Sequence, residues 1–161
     1  MKKILTLLII HKDGKILLGM KKRGFRMGRW NGFGGKIHDG ETIEDATKRE
    51  LLEESELTVN VMEKIGVVEF SWKEKPDIIL EANIFKATDF LGELTESDEM
   101  KPQWFSTKDI PYDKMWSDDK YWIPLLLENK KFKGKFVFDD NNNVLDYELI
   151  DLSPNKVCDE N

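Results

Sequence analysis

Residues 35–57 read GKIHDGETIEDATKRELLEESEL, a loop followed by an acidic segment with helical spacing. Thr42, with Asp45 three residues later, is typical of a capping box at the start of a helix. Intermittent apolar residues then continue from Ile43 to about Ser55. The pattern predicts a helix that begins after Thr42 and ends near Ser55.

The acidic side of this helix carries three carboxylates. Glu50, Glu53 and Glu54 stand at positions i, i+3 and i+4, so their side chains share one face. Such neighbours repel by about a few tenths of a kcal/mol per pair unless a cation relieves them, and Mg²⁺ prefers a few carboxylates plus water and phosphate oxygens. Arg49, four residues before Glu53, is placed to orient that carboxylate. These three glutamates alone are also compatible with a solvated surface, which is the commoner arrangement.

The composition predicts one globular domain that acts on a small ligand. The chain has 161 residues, 40% hydrophobic and 35% charged, and 31 acidic against 25 basic residues give a net charge of -6. This charge disfavours duplex nucleic acid and anionic membranes as partners, whereas a bound cation still admits a small phosphorylated ligand. Cys158 is the only cysteine, which suits a reducing compartment. We expect the protein to be a monomer in the cytoplasm. A mitochondrial or nuclear location for part of it stays open.

The first ten residues combine two lysines with an apolar run, as the start of a signal peptide does. The run is too short to span a bilayer and lacks a small-residue cleavage site. It is followed by the turn residues Lys12, Asp13 and Gly14 and by a second apolar run. We therefore predict two strands joined by a hairpin.

The remaining pattern predicts a mixed sheet with two helices, an α/β or α+β sandwich. Residues 24–35 are glycine-rich and predict a loop, and residues 73–76 predict a turn. A second helix is expected between Ser117 and Asn129, where Pro124 must distort or delay it. One domain is expected over residues 1–152, with a polar tail at 153–161. The predicted strands are residues 3–11, 15–22, 59–72, 78–87, 101–105, 132–138 and 144–152.

The opening stretch matches the Nudix box, G-x5-E-x7-R-E-U-x-E-E-x-G-U. The matching residues are Gly35, Glu41, Arg49, Glu50, Leu51, Glu53, Glu54 and Leu57. The sequence therefore resembles the Nudix hydrolases, which implies a Nudix fold with a mixed β-sheet sandwiched between helices. One position departs: the last glycine of the box is Glu56 here, at the helix end, where left-handed geometry costs a non-glycine residue about 1 kcal/mol.

The resemblance implies a metal-dependent substitution at phosphorus. Glu50, Glu53 and Glu54, with the carbonyl of Gly34, are implied as ligands of Mg²⁺, for which Mn²⁺ is a substitute. The ion would neutralise phosphate charge and activate a water for in-line attack. The candidates for the general base are Glu54 and Glu99, and Glu99 is also a candidate metal ligand; taken alone, Glu99 is more often a surface residue.

The resemblance extends beyond the box to the MutT-homologue branch of the family. It is carried by residues 20–55, 96–105, 110–127 and 145–149. It implies hydrolysis of oxidised purine nucleoside triphosphates (8-oxo-dGTP, 2-hydroxy-dATP and 8-oxo-dATP) to monophosphate and pyrophosphate, which sanitises the nucleotide pool. The implied substrate-binding residues are Thr6, Lys21, Phe25, Asn31, Phe33, Gly34, Gly35, Lys36, Phe70, Trp116, Ser117, Asp118, Asp119 and Trp122.

Trp116 is the expected stacking platform for the purine, because it adjoins the Asp118 and Asp119 pair. Three other tryptophans, Trp30, Trp72 and Trp104, are assigned to the core.

Asp118 and Asp119 have two explanations. They are favourable charges at a helix start, or they form a base-recognition pair. Two close carboxylates in a partly apolar pocket do not both ionise easily, so one would stay protonated and donate a hydrogen bond. With the amide of Asn31, such a pair would accept either an oxidised guanine or an oxidised adenine.

Two alternatives stay open. The chain is a Nudix enzyme for another nucleotide, such as an N6-methyl purine triphosphate, ADP-ribose, a dinucleotide or a capped RNA end, because the box does not separate these substrates. Alternatively it is a nucleotide sensor without hydrolysis, for which the Glu56 departure is the only support.

Overall fold

In a computed structural model, which describes residues 1–24 and 27–153, nine strands form one mixed sheet and two α-helices cover it. The elements are β1 (Lys2–Lys12), β2 (Lys15–Lys21), β3 (Trp30–Asn31), β4 (Phe33–Lys36), α1 (Ile43–Ser55), β5 (Glu63–Trp72), β6 (Lys75–Ala87), β7 (Met100–Ser106), a 3-10 turn (Tyr112–Lys114), α2 (Asp119–Leu127), β8 (Phe132–Phe138) and β9 (Val144–Asp151). The strand order is β3-β2-β1-β6-β5-β8-β9, with β4 paired to β1 and β7 to β2.

Strand β1 lies at the centre of the sheet and is buried on both faces. Leu8, Ile9 and Ile10 are all fully buried. Leu8 and Ile10 pack into a cluster that includes Leu51 of α1, whereas Ile9 packs into a cluster that includes Trp122 of α2. Because side chains alternate between the faces of a strand, the two helices cover opposite faces of the sheet. The predicted α+β sandwich is confirmed.

The predicted first helix is confirmed at both ends. The hydroxyl of Thr42 accepts a hydrogen bond from the backbone N–H of Asp45 at 3.0 Å, and α1 ends at Ser55. Glu56 follows with φ 63° and ψ 16°, and its N–H donates to the carbonyl of Leu52 at 2.9 Å. The helix therefore ends in the left-handed conformation that the box glycine normally supplies, although a glutamate occupies the position.

The glycine-rich stretch at 24–35 is not wholly a loop, since it contains β3 and most of β4. Strand β4 pairs antiparallel with β1, and a Cβ at Gly34 would collide with the carbonyl of Thr6. Glycine here permits a close approach of two backbones rather than a turn. A strand of four residues that includes two glycines shows no apolar alternation, so the pattern did not predict it.

Two prolines are accommodated differently from the prediction. Strand β6 begins at Lys75, so Pro76 lies inside a strand rather than in a turn. Its position coincides with a register shift between the pairs Ser71–Ile79 and Trp72–Lys75, where a missing N–H costs no ladder bond. Helix α2 continues through Pro124, because Ile123 and Leu126 on either side of it are buried in the core.

No helix in residues 1–24 and 27–153 has both the length and the apolar character needed to cross a membrane.

Candidate active site

Arg49 lies at the centre of an ion-pair network on α1. Its Nε and Nη2 donate to the two oxygens of Glu41 at 2.7 and 3.0 Å, and Nη2 also donates to the carbonyl of Lys36 at 3.0 Å. Its Nη1 donates to Glu50 at 2.7 Å and to Glu53 at 3.3 Å. One guanidinium therefore ties the loop before α1 to two of the three predicted metal ligands.

Glu41 is the residue that fixes this guanidinium. Hydrogen bonds from Arg49 and from the backbone N–H of His38, at 2.8 Å, lower the pKa of Glu41 to about 2. In the sequence, Glu41 is only one of the positions that match the Nudix box. The fold shows that its partner is Arg49.

Glu50 and Glu54 lie against strand β4. The backbone N–H of Gly34 donates to Glu54 at 3.0 Å, and a Cβ at Gly35 would overlap the carboxylate of Glu50. Burial raises the pKa of Glu54 to about 8, and the charge of Glu50 adds to the rise. Burial also raises the pKa of Glu50, against the opposing effect of Arg49. Two partly buried carboxylates therefore lie side by side with too little positive charge to keep both ionised.

This donor set fits a divalent cation. Carboxylate oxygens are hard ligands, and a cation would supply the positive charge that the raised pKa of Glu54 shows to be lacking. Glu53 is 55% exposed and turned towards Arg49. Within the part of the chain that the structure describes, no three His, Cys, Asp or Glu side chains already converge as a metal site.

Neither Glu99 nor Lys21 is hydrogen-bonded to the Arg49 network within the described residues. The carboxylate of Glu99 is 68% exposed and 3.4 Å from Arg23, and no hydrogen bond among the described residues joins it to α1. The positive charge of Lys21, at the end of β2, lowers the pKa of Glu54 and so opposes the effect of burial. The roles of Glu99 in catalysis and metal binding and of Lys21 in substrate binding therefore stay predictions.

A narrow cavity of about 30 Å³ lies on the α2 side of the sheet. Seven of the predicted substrate-binding residues line it: Thr6, Asn31, Phe70, Trp116, Asp118, Asp119 and Trp122. The rest of the wall is apolar and consists of Leu5, Leu7, Trp72, Ala82 and Ile84. The fold therefore brings together residues from five separate segments of the chain around one space.

The Asp118 and Asp119 pair is almost completely buried, with 2% and 4% of each residue exposed. Asp118 accepts a hydrogen bond from the indole N–H of Trp122 at 2.8 Å and makes no side-chain capping bond to α2. Carboxylates are seldom buried to this extent without a specific role. This burial fits the predicted recognition pair, which stays a prediction beside the alternative of favourable charges at a helix start.

Thr6 connects the cavity to the acidic helix. Its hydroxyl is hydrogen-bonded to the hydroxyl of Thr47, which itself donates to the carbonyl of Ile43 at 2.7 Å. Because a hydroxyl has one proton to donate, Thr6 must be the donor in the bond to Thr47. The cavity and α1 are therefore linked by one buried hydrogen bond.

The other predicted substrate-binding residues lie elsewhere. Phe33 is fully buried in the cluster under α1, and Gly34, Gly35 and Lys36 follow it in β4, beside the acidic network. Ser117 faces the loop between β8 and β9, and Phe25 lies outside the described residues.

Trp72 also lines the cavity, although the sequence pattern assigned it to the core. Trp72 follows Phe70 by two residues in β5, so the two side chains point to the same face of the sheet. That spacing was the available signal.

Comparisons with known proteins agree with this arrangement. The model of the NUDIX domain matches residues 2–126. The chain is 50% identical over 150 residues to the oxidized purine nucleoside triphosphate hydrolase of Mus musculus and 49% identical to that of Danio rerio, in both cases over 93% of this chain and 96% of the relative. A crystal structure of a mutator MutT protein from Bacillus halodurans superposes with a TM-score of 0.82 at 28% identity, over 94% of this chain and 99% of the other. The chain therefore belongs to the Nudix family.

Proposed function

We propose that this Nudix hydrolase converts oxidised purine nucleoside triphosphates, namely 8-oxo-dGTP, 2-hydroxy-dATP and 8-oxo-dATP, to monophosphate and pyrophosphate. The observation that carries the proposal is the buried Asp118 and Asp119 pair in a cavity that Thr6 links to the acidic helix. The names and the near 50% identity of the animal relatives support the same substrate class.

The chain offers a carboxylate site for the cation that Nudix hydrolases generally need. We assign Mg²⁺ to Glu50, Glu53, Glu54 and the carbonyl of Gly34, with Mn²⁺ as a substitute. When bound, the ion supplies phosphate charge neutralisation and water activation. Arg49 holds Glu50 and Glu53 in fixed orientations.

The proton of the attacking water goes to a carboxylate, for which Glu54 is the first candidate. Burial raises the pKa of Glu54 to about 8, and a carboxylate with a raised pKa is a stronger proton acceptor once it is ionised. Glu99 is the second candidate, although its exposed carboxylate must approach the site to act.

The base would enter between Trp116 and the apolar wall. Stacking on an indole contributes about 1 to 3 kcal/mol per base. One carboxyl of the Asp118 and Asp119 pair would be protonated and donate, while the other accepts, and Asn31 supplies both an amide donor and a carbonyl acceptor. Such a set matches the oxidised forms of both guanine and adenine.

The test is release of pyrophosphate from a panel of nucleotides with Mg²⁺ and with EDTA. The panel contains the three oxidised triphosphates, dGTP and dATP as unmodified controls, N6-methyl-dATP and ADP-ribose. The proposal predicts Mg²⁺-dependent hydrolysis with the highest kcat/KM for an oxidised purine. Preference for N6-methyl-dATP or ADP-ribose would reassign the substrate, and binding without hydrolysis would make the chain a sensor.

We also propose that residues 1–152 act as one domain and that the protein is a cytoplasmic monomer without a nucleic-acid polymer as partner. The net charge of -6 supports the last point. Light scattering coupled to gel filtration measures the oligomeric state.

A further inference from the structure

The turn between β8 and β9, residues 139–143, contacts two walls of the narrow cavity that is proposed to take the base, here called the base cavity. One wall contains Trp72, and the other contains Trp116 and Asp118. The indole N–H of Trp72 donates to the side-chain oxygen of Asn142 at 2.8 Å. The hydroxyl of Ser117 donates to the backbone carbonyl of the same Asn142 at 2.9 Å. Trp72 ends β5 on one wall, and Ser117 lies between Trp116 and Asp118 on the other. One residue therefore joins the two walls.

The turn that presents Asn142 is held by its own hydrogen bonds. A carboxylate oxygen of Asp139 accepts from the backbone N–H groups of Asn141 and Asn143 at 2.8 and 2.9 Å, and the carbonyl of Asp139 accepts from the N–H of Asn142 at 3.1 Å. Asn142 itself is left-handed, with φ 63°. The side chain is thus presented by a preformed turn rather than by a freely moving loop.

The same two walls also meet through a buried ring. Phe138 is fully buried, with its ring centroid 5.5 Å from that of Trp72 and 5.7 Å from that of Trp116. The cavity between the walls measures about 30 Å³, a narrow space. The hydrogen bonds that Asn142 accepts from Trp72 and Ser117 hold the two walls at this separation.

A second, wider cavity of about 390 Å³ adjoins the first. Trp72 lines both cavities, and Asn142, Ile78 and Leu80 contribute to the wider one. Trp72, which is hydrogen-bonded to Asn142, therefore lies between the narrow cavity and the wide cavity.

We propose that Asn142 is a specificity-determining positioning residue, whose bond to Trp72 keeps the base cavity closed to purines with bulky substituents. Loss of the bond would let Trp72 turn away and join the two cavities, so that a purine with a large ring substituent is accommodated. The inference rests on the proposed function, because it assumes that the narrow cavity takes the base.

Four variants separate this role from a general effect on folding. Asn142→Gly removes the amide and tolerates the left-handed backbone, whereas Asn142→Asp keeps an acceptor for Trp72. Trp72→Phe removes the donor and keeps a ring. Asn141→Gly is the matched control, because that residue is exposed and its hydrogen bond in the turn comes from its backbone N–H. Thermal unfolding of each variant verifies that it is folded.

The measurement is kcat and KM for 2-hydroxy-dATP and for three dATP analogues that carry a benzyl group at C8, N6 or C2. For Asn142→Gly and Trp72→Phe we expect the kcat/KM of at least one benzyl analogue, relative to 2-hydroxy-dATP, to rise about tenfold, mainly through KM. A fifth variant, which combines Asn142→Gly with Trp72→Phe, should rise no further, because both changes break the same bond. Asn142→Asp and Asn141→Gly should stay within about twofold of the wild type.

An unchanged ratio in both Asn142→Gly and Trp72→Phe overturns the inference, as does an equal rise in Asn141→Gly. If the wild type hydrolyses none of these nucleotides, the proposed function fails separately. The inference is then decided by equilibrium binding of the same four nucleotides in EDTA, with the same ratios expected for the dissociation constants.

Discussion

Arg49 donates two hydrogen bonds to the carboxylate of Glu41, from Nε to one oxygen at 2.7 Å and from Nη2 to the other at 3.0 Å. This fork orients the guanidinium so that its remaining nitrogen reaches Glu50 and Glu53. Two carboxylates proposed as metal ligands therefore depend on a third carboxylate that lies outside the ligand set.

Replacement of Arg49 by lysine should impair the metal site while preserving the charge. An ammonium group cannot form the planar fork, so Glu50 and Glu53 lose their fixed orientation. We expect a loss of about 10- to 100-fold in metal affinity or in kcat, as for other residues that orient metal ligands. Titration calorimetry with Mn²⁺ and pyrophosphate release measure the two quantities. Lys48→Ala, at an exposed neighbouring position, is the control, and equal effects of the two substitutions would speak against the orienting role.

Glu41 should contribute to the acid stability of the fold. Its pKa is lowered from 4.5 to about 2, so between these values the unfolded chain binds more protons than the folded one. Its contribution to the free energy of unfolding is therefore complete above pH 4.5 and is lost as the pH falls through about 2. Urea unfolding from pH 6 to pH 2.5 should show a shallower acid decline for Glu41→Gln than for the wild type. Parallel curves would disprove the linkage.

Glu56→Gly should stabilise the protein. Glu56 has φ 63°, a conformation that glycine adopts without the strain of a side chain. We expect a gain of about 1 kcal/mol in the free energy of unfolding, or roughly 2 to 4 °C in Tm for a chain of this size. Glu56→Ala removes the same charge and keeps the strain. A comparable gain in that control would assign the effect to charge instead of backbone.

Asp118→Asn and Asp119→Asn should change which purines are hydrolysed. An amide has a fixed donor and a fixed acceptor, whereas a carboxyl pair can exchange these roles. Each substitution should lower kcat/KM for 8-oxo-dGTP or for 2-hydroxy-dATP by roughly tenfold or more, since one buried hydrogen bond is lost. Two variants with wild-type rates on both nucleotides would exclude the pair from base recognition.

The local parts of the fold were predictable because their signals lie within a few residues. The capping box at Thr42 and the i, i+3, i+4 spacing of Glu50, Glu53 and Glu54 define α1 and its acidic face without reference to the rest of the chain. The terminal hairpin follows equally from two apolar runs around the turn at 139–143.

The remaining features depend on contacts distant in sequence. Strand β4 exists because Gly34 lets it pack closely on β1, and Pro76 is tolerated because a register shift falls at its position. The hydrogen bond from the indole of Trp72 to Asn142 joins residues 70 positions apart. No periodicity within a short window carries such information.

The carboxylate face of α1 is best tested by calorimetric titration of Mn²⁺ into the wild type, into the double variant Glu53→Gln with Glu54→Gln, and into Glu56→Gln. We expect heat of binding for the wild type and for Glu56→Gln, which alters a neighbouring carboxylate outside the proposed ligand set. We expect none for the double variant, together with loss of pyrophosphate release. Equal uptake by all three proteins, or uptake by none of them, would contradict a metal site on this helix.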